Sequence, residues 1–192
     1  MRFRDTFPVQ KTRILPSLSR PPAVTKTVVF RIAPSPELSL LLRSFRDMCN
    51  EAIGIAVAAE TTNRFELIEK AHPHLRKHGL HTRFILSACE VAYSLYKSKY
   101  RKSIPRIHKP FLKLDSRSYR LGHFFLRIPT TARRFIFLTL KGSDFHFPFE
   151  DDPELKRGSV TINENAVGIA FSKRVGVSDP EGVSALISMK GT

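Results

Sequence analysis

The residues of this chain best suited to chemistry are its cations. Twelve Lys and Arg side chains lie between Lys97 and Arg134: Lys97, Lys99, Arg101, Lys102, Arg106, Lys109, Lys113, Arg117, Arg120, Arg127, Arg133 and Arg134. One acid, Asp115, accompanies them, so this stretch carries +11 of the chain's net +15. A field so lopsided attracts polyanions, because each cation that meets a phosphate releases a condensed counterion and the gain accumulates over contacts. Lys97, Lys99, Arg101, Lys102, Arg106, Lys109, Arg117 and Arg120 are the expected phosphate contacts, and nucleic acid is the expected partner. The rest of the chain does not share the bias: residues 1–96 hold fourteen bases against eight acids, and residues 135–192 hold six against eight.

Other residue groups have blander readings. His72, His74, His78 and His81 are dense enough for a metal site, but neither cysteine nor carboxylate accompanies them at finger spacing, so solvated loop histidines are expected. Glu150, Asp151, Asp152 and Glu154 surround Pro153 and read as an exposed turn more readily than as a cation site. Phe145, Phe147 and Phe149 alternate, which in a strand puts three rings on one core-facing side; Tyr119, Phe124 and Phe125 lie among the bases and are better placed to stack on nucleobases. Cys49 and Cys89 sit in apolar helical patterns and read as reduced core residues. No glycine-rich phosphate loop, dinucleotide fingerprint or nucleophile elbow occurs, so neither nucleotide hydrolysis nor serine chemistry has support, and no cofactor, catalytic residue, metal or small-molecule substrate is expected.

The elements that must carry the cations follow from periodicity. With 192 residues, 42% of them apolar, the chain can fill a real core. Residues 1–23 hold Pro8, Pro16, Pro21 and Pro22 among scattered bases without a sustained period, and predict a flexible basic arm. The run Thr25 to Ile32 predicts a strand. Ser35, Pro36 and Glu37 then supply an N-cap hydroxyl, a proline at the first helical position and an early carboxylate. An apolar stripe from Leu38 through Phe45 and Cys49 to Ala56 continues that helix to about Glu60. A weaker helix is predicted over Arg64 to Ala71, broken by Pro73, and a stronger one over Thr82 to Tyr100. Beyond Pro105 the texture turns to short strand-like runs beginning at Phe111, Tyr119, Arg134, Asp144, Gly158 and Ala166, with hairpins at Lys141-Gly142-Ser143 and Asn163-Glu164-Asn165.

The expectation is an α+β chain: a small antiparallel β-barrel formed by residues 24–34 and 105–176, interrupted by a three-helix insert over residues 35–104. The longest uncharged apolar run, Ala52 to Ala59, is far short of the roughly 20 residues a membrane span needs, and MRFRDTF has no signal-peptide core, so no membrane contact and a cytoplasmic location are expected.

In that order, FRDMCNEAI in the first helix, FLKLDSRSYRL at the first late strand, LKRGSVTINENAVGIAFSK and then VGVSDPEGVSALI resemble an archaeal branch of the OrfB/TnpB proteins, over most of residues 24–187. These are insertion-sequence proteins, formerly called transposases and related to type V CRISPR effectors. The resemblance implies a wedge-like barrel and a helical recognition insert that grip a guide RNA and the guide–target duplex, with sequence choice delegated to base pairing. It also implies that residues 177–192 are the truncated start of a ribonuclease-H-like nuclease domain, whose separated carboxylates would hold two divalent ions. The position expected for the first of those carboxylates is taken by Ile187 or Ser188, and Asp179 in SDPEG reads as a loop carboxylate. The expectation is therefore a transposon-encoded binder of guide RNA and target DNA without cleavage of its own. The alternatives are an RNA-guided endonuclease completed by a nuclease domain and an inactive remnant.

Overall fold

A computed structural model of the chain describes residues 23–99, 103–131, 133–146 and 148–174. Residues 1–22 of the expected N-terminal arm, the nuclease-like segment with Asp179, Ile187 and Ser188, and the sites Arg101 and Lys102 lie outside these residues, while Ala23, the last residue of that expected arm, opens the first strand. The elements, in order, are β1 (Ala23–Arg31), α1 (Pro36–Ala58), α2 (Arg64–Leu75) with a short 3-10 turn (Arg76–His78), α3 (Thr82–Lys99), β2 (Leu112–Leu114), β3 (Arg120–Gly122), β4 (Phe125–Thr131), β5 (Arg134–Thr139), α4 (Pro148–Asp151), β6 (Lys156–Ile162) and β7 (Ala166–Arg174).

Local chemistry accounts for the helix starts. The Ser35 side chain accepts from the Leu38 amide at 3.2 Å ahead of Pro36. At α2, Asn63 caps the Phe65 and Glu66 amides, while Glu66 reaches back to the Thr62 amide. The hydrogen bonds from Lys70 and Thr62 hold the Glu66 carboxyl down at about 2. Pro73 lies inside α2 and does not end it, contrary to the expected break after Ala71. A proline two residues before the helix end forfeits one backbone bond, and burial of Leu67, Ala71 and Leu75 on one face sustains the last turn.

The strands form a four-stranded sheet in the order β1-β7-β6-β2 and a three-stranded sheet in the order β3-β4-β5. The paired strands of β2·β6, β6·β7, β3·β4 and β4·β5 are antiparallel. No closed barrel is found among the described residues; a two-residue bridge between Arg31 and Lys141 links the ends of the two sheets. β1 and β2 belong to one sheet, so the three helices emerge between two of its strands.

One hydrophobic cluster runs through helices and sheets, from Leu38, Leu42 and Phe45 of α1 and Phe84 and Ile85 of α3 to Leu112, Val160, Val167 and Phe171. Three contacts tie the helices to the strands that follow them. Ser87 of α3 donates to the Lys113 carbonyl of β2. Asn50 of α1 clasps Ile107 by both backbone groups, at 2.9 and 2.8 Å. His81, just before α3, donates its amide to the Thr130 carbonyl of β4 at 3.1 Å. Cys49 and Cys89 are buried and unbonded, and burial raises both thiols, Cys89 to about 11.

Three expectations are corrected. The run from Tyr119 to Ile128 is two strands, β3 and β4, reversed at His123-Phe124 with Gly122 opposite Phe125. The reversal lacks the polar residues that mark most turns; what permits it is close approach, since a Cβ on Gly122 would lie 2.6 Å from the Phe125 ring. The run Asp144 to Glu150 is no strand: a turn at Asp144–His146 leads into α4. Phe149 is buried and Phe145 is exposed, with their rings 5.6 Å apart beneath the Lys26 amine, so the alternating face does not exist; Phe147 lies outside the described residues. Lys141-Gly142-Ser143 is accordingly not a hairpin, because Lys141 bonds to Arg31. The other hairpin forms as expected, with the Asn163 side chain accepting from the Asn165 and Ala166 amides.

Candidate nucleic-acid interface

β3 and β4 are short antiparallel partners whose inward residues are apolar and whose outward residues mix arginines with Phe125 and Pro129. Leu121 pairs with Leu126, which pairs with Leu138, and Ile128 pairs with Ile136; these side chains face the core. The outward set of the same register holds Arg120 opposite Arg127, and Arg127 opposite Phe137. Arg120 and Arg127 are thus like charges placed directly across a ladder, an arrangement that is destabilising unless something negative sits between them.

A cavity of about 330 Å³ opens at this point, lined by His81, Arg83, Arg117, Ser118, Tyr119, Arg120, Arg127, Pro129 and Phe135. Four arginines and, among the described residues, no carboxylate border it. The Arg127 guanidinium lies 3.7 Å from the centre of the Phe135 ring, and its Nε is buried without a hydrogen-bond partner among the described residues. A buried donor on a charged group costs free energy when left unmade, a cost that an anionic acceptor would remove. The N-terminal end of α3, where the Arg83 amide donates to His81 Nδ1 at 3.2 Å, adds the favourable end of a helix dipole on the same side. Arg83 and Arg117 also border a neighbouring cavity of about 570 Å³ whose lining includes Phe65, Leu86, Glu90 and Asp115.

Tyr119 holds this arrangement in place and does not offer a stacking face, against expectation. It is buried, and its hydroxyl donates to the Gly158 carbonyl of β6 at 3.0 Å, joining the start of β3 to the other sheet. Burial pushes the phenol up to about 12, with Arg157 pulling the other way. Ser118 donates to the Asp115 carboxylate, which closes the turn that presents Arg117.

Of the eight expected phosphate contacts, Arg117 and Arg120 are brought together in the cavity, with Arg83 and Arg127. Lys97, Arg106 and Lys109 are exposed and line neither cavity, and they make no ion pair among the described residues. Nothing is described of the Lys99 side chain. Arg83 was invisible as a candidate because it lies far upstream on α3 and joins the cluster only through packing. Arg127 and Phe135 share a face that alternation reveals once β4 and β5 are known to pair.

The remaining candidates have other roles. His72 and His74 lie on α2, and His78 bonds Glu51 at 3.0 Å beside Lys77. Burial works to raise the Glu51 carboxyl, but Lys77 and His78 outweigh it and hold it below its usual range. Asp151 faces His123, Asp152 caps the Glu154 amide, and Glu154 pairs with Lys173, so these acids serve separate partners. Among the described residues no group of three or more metal-ligating side chains converges, and no helix is long and apolar enough to cross a membrane. No family model matches the chain, and comparison with curated proteins finds no match.

Proposed function

We propose that the chain binds nucleic acid by its sugar-phosphate backbone, as the N-terminal half of an OrfB/TnpB-like protein that grips guide RNA, an RNA–DNA duplex or DNA in the cytoplasm. In this reading the two sheets stand in the place of the wedge-like barrel and α1–α3 in that of the recognition insert. The observation that carries it is the cavity where Arg83, Arg117, Arg120 and Arg127 converge and where, among the described residues, no acid lies in the lining and one buried guanidinium nitrogen lacks an acceptor. A phosphate oxygen there would separate the opposed Arg120 and Arg127 charges and accept from Arg127 Nε. Lys97, Arg106 and Lys109 would extend the cationic track beyond it.

The test is a salt titration of the full chain against structured RNA and duplex DNA. Log affinity is expected to fall linearly with log salt, by about 0.7 to 0.9 for each phosphate neutralised. A flat response would overturn the proposal.

A further inference from the structure

We infer that the outer face of the β3-β4-β5 sheet is a stacking platform for the unpaired bases of an RNA strand, whose phosphates run over the neighbouring arginines. The inference rests on the nucleic-acid reading above and adds to it the state of the ligand. Phe125, Phe135 and Phe137 all project from this face and are 43%, 41% and 61% exposed. The core does not need them, since Leu121, Leu126, Ile128, Ile136 and Leu138 fill the inner side of the same strands. Exposing three large rings on one small sheet leaves apolar area in water, which marks a contact surface.

The ligand's chemistry follows from what surrounds the rings. Phe125 and Phe137 lie 6.0 Å apart and tilted by 56°, and the Phe125 ring rests over Gly122, where any side chain would collide with it. Arg127 covers one side of Phe135. β3, β4 and β5 contain no acidic residue, while Arg120 and Arg127 stand among the rings. A second copy of this chain would bring arginine against arginine, and an ordinary protein partner would find no carboxylate to pair with its cations. A strand that offers both flat π-faces and phosphates matches the rings and the guanidinium groups together. RNA loops and bulges are where bases stand free of pairing and splay onto such aromatic surfaces, which selects unpaired RNA over duplex.

The test uses the full chain, an RNA hairpin carrying 2-aminopurine in its loop, the matching fully paired RNA, and the loop in DNA. The wild type is expected to change the 2-aminopurine fluorescence and to prefer the looped RNA. The double substitution Phe125→Ala/Phe137→Ala is expected to weaken looped-RNA binding by about tenfold or more, with paired-RNA binding and the salt slope unchanged. Phe137→Tyr, which keeps a ring, is expected to retain the preference. Unchanged looped-RNA affinity in the double variant, equal losses for looped and paired RNA, tighter binding of the DNA loop, or a wild-type dimer that the double variant dissolves would each overturn the platform. If paired RNA still binds with a normal salt slope, only the platform has failed; if neither ligand binds, the backbone-binding proposal has failed as well.

Discussion

Replacing Arg117, Arg120 and Arg127 together by alanine is expected to lower the slope of log affinity against log salt by about 2 to 2.7, at roughly 0.7 to 0.9 per lost phosphate contact. At moderate salt this corresponds to an affinity loss of about a hundredfold. All three side chains border one cavity, and only there does a buried Nε lack an acceptor among arginines of the described residues. Removing the equal charge at Lys97, Arg106 and Lys109, which border neither cavity, is expected to cost less. The single substitution Arg120→Thr separates binding from folding. It removes one of two opposed like charges and inserts a residue suited to strands, so the free protein should gain a few tenths to about 1 kcal/mol in stability while nucleic-acid binding weakens. Denaturant melts and binding isotherms of the same samples check both signs, and a loss of stability would show that Arg120 makes a stabilising contact in the free protein.

Phe45→Ala is expected to have the largest effect on folding. Phe45 is fully buried on α1, with its ring edge-on to Phe84 of α3 at 6.4 Å and to Phe111 at 5.5 Å. It therefore joins two helices to the segment that enters β2. Truncation removes the ring and leaves a cavity that rigid neighbours on both sides hold open, at a cost of about 3 to 5 kcal/mol. Against a total stability of roughly 5 to 15 kcal/mol for a domain, that is a large share. A urea melt should show the midpoint falling by a corresponding amount, whereas a loss below about 1 kcal/mol would mean that the three segments do not pack through this ring.

The helices were legible because their signals are local. The Ser35 cap, Pro36 and the stripe from Leu38 to Ala56 together define α1, and the apolar face of α3 is equally regular. The strands were legible as runs but not as partners. His123-Phe124 reverses the chain without a residue that announces a turn, because what permits the reversal is the space that Gly122 leaves for the Phe125 ring. DFHFPFE alternates like a strand, yet Phe149 buries itself beside Phe171 from a short helix while Phe145 stays exposed. The candidate site was half legible. Charge counting finds Arg117 and Arg120, but Arg83 reaches them only because His81 bonds Thr130 and sets the start of α3 against the end of β4.

The most direct measurement follows the arginine Nε–H resonances of the chain by NMR as a short structured RNA is added. The buried Arg127 Nε–H should shift strongly as it gains a phosphate acceptor, together with those of Arg83, Arg117 and Arg120, and the shifts should fade as salt is raised. Shifts confined to arginines outside the cavity, with Arg127 unmoved at saturation, would contradict the account.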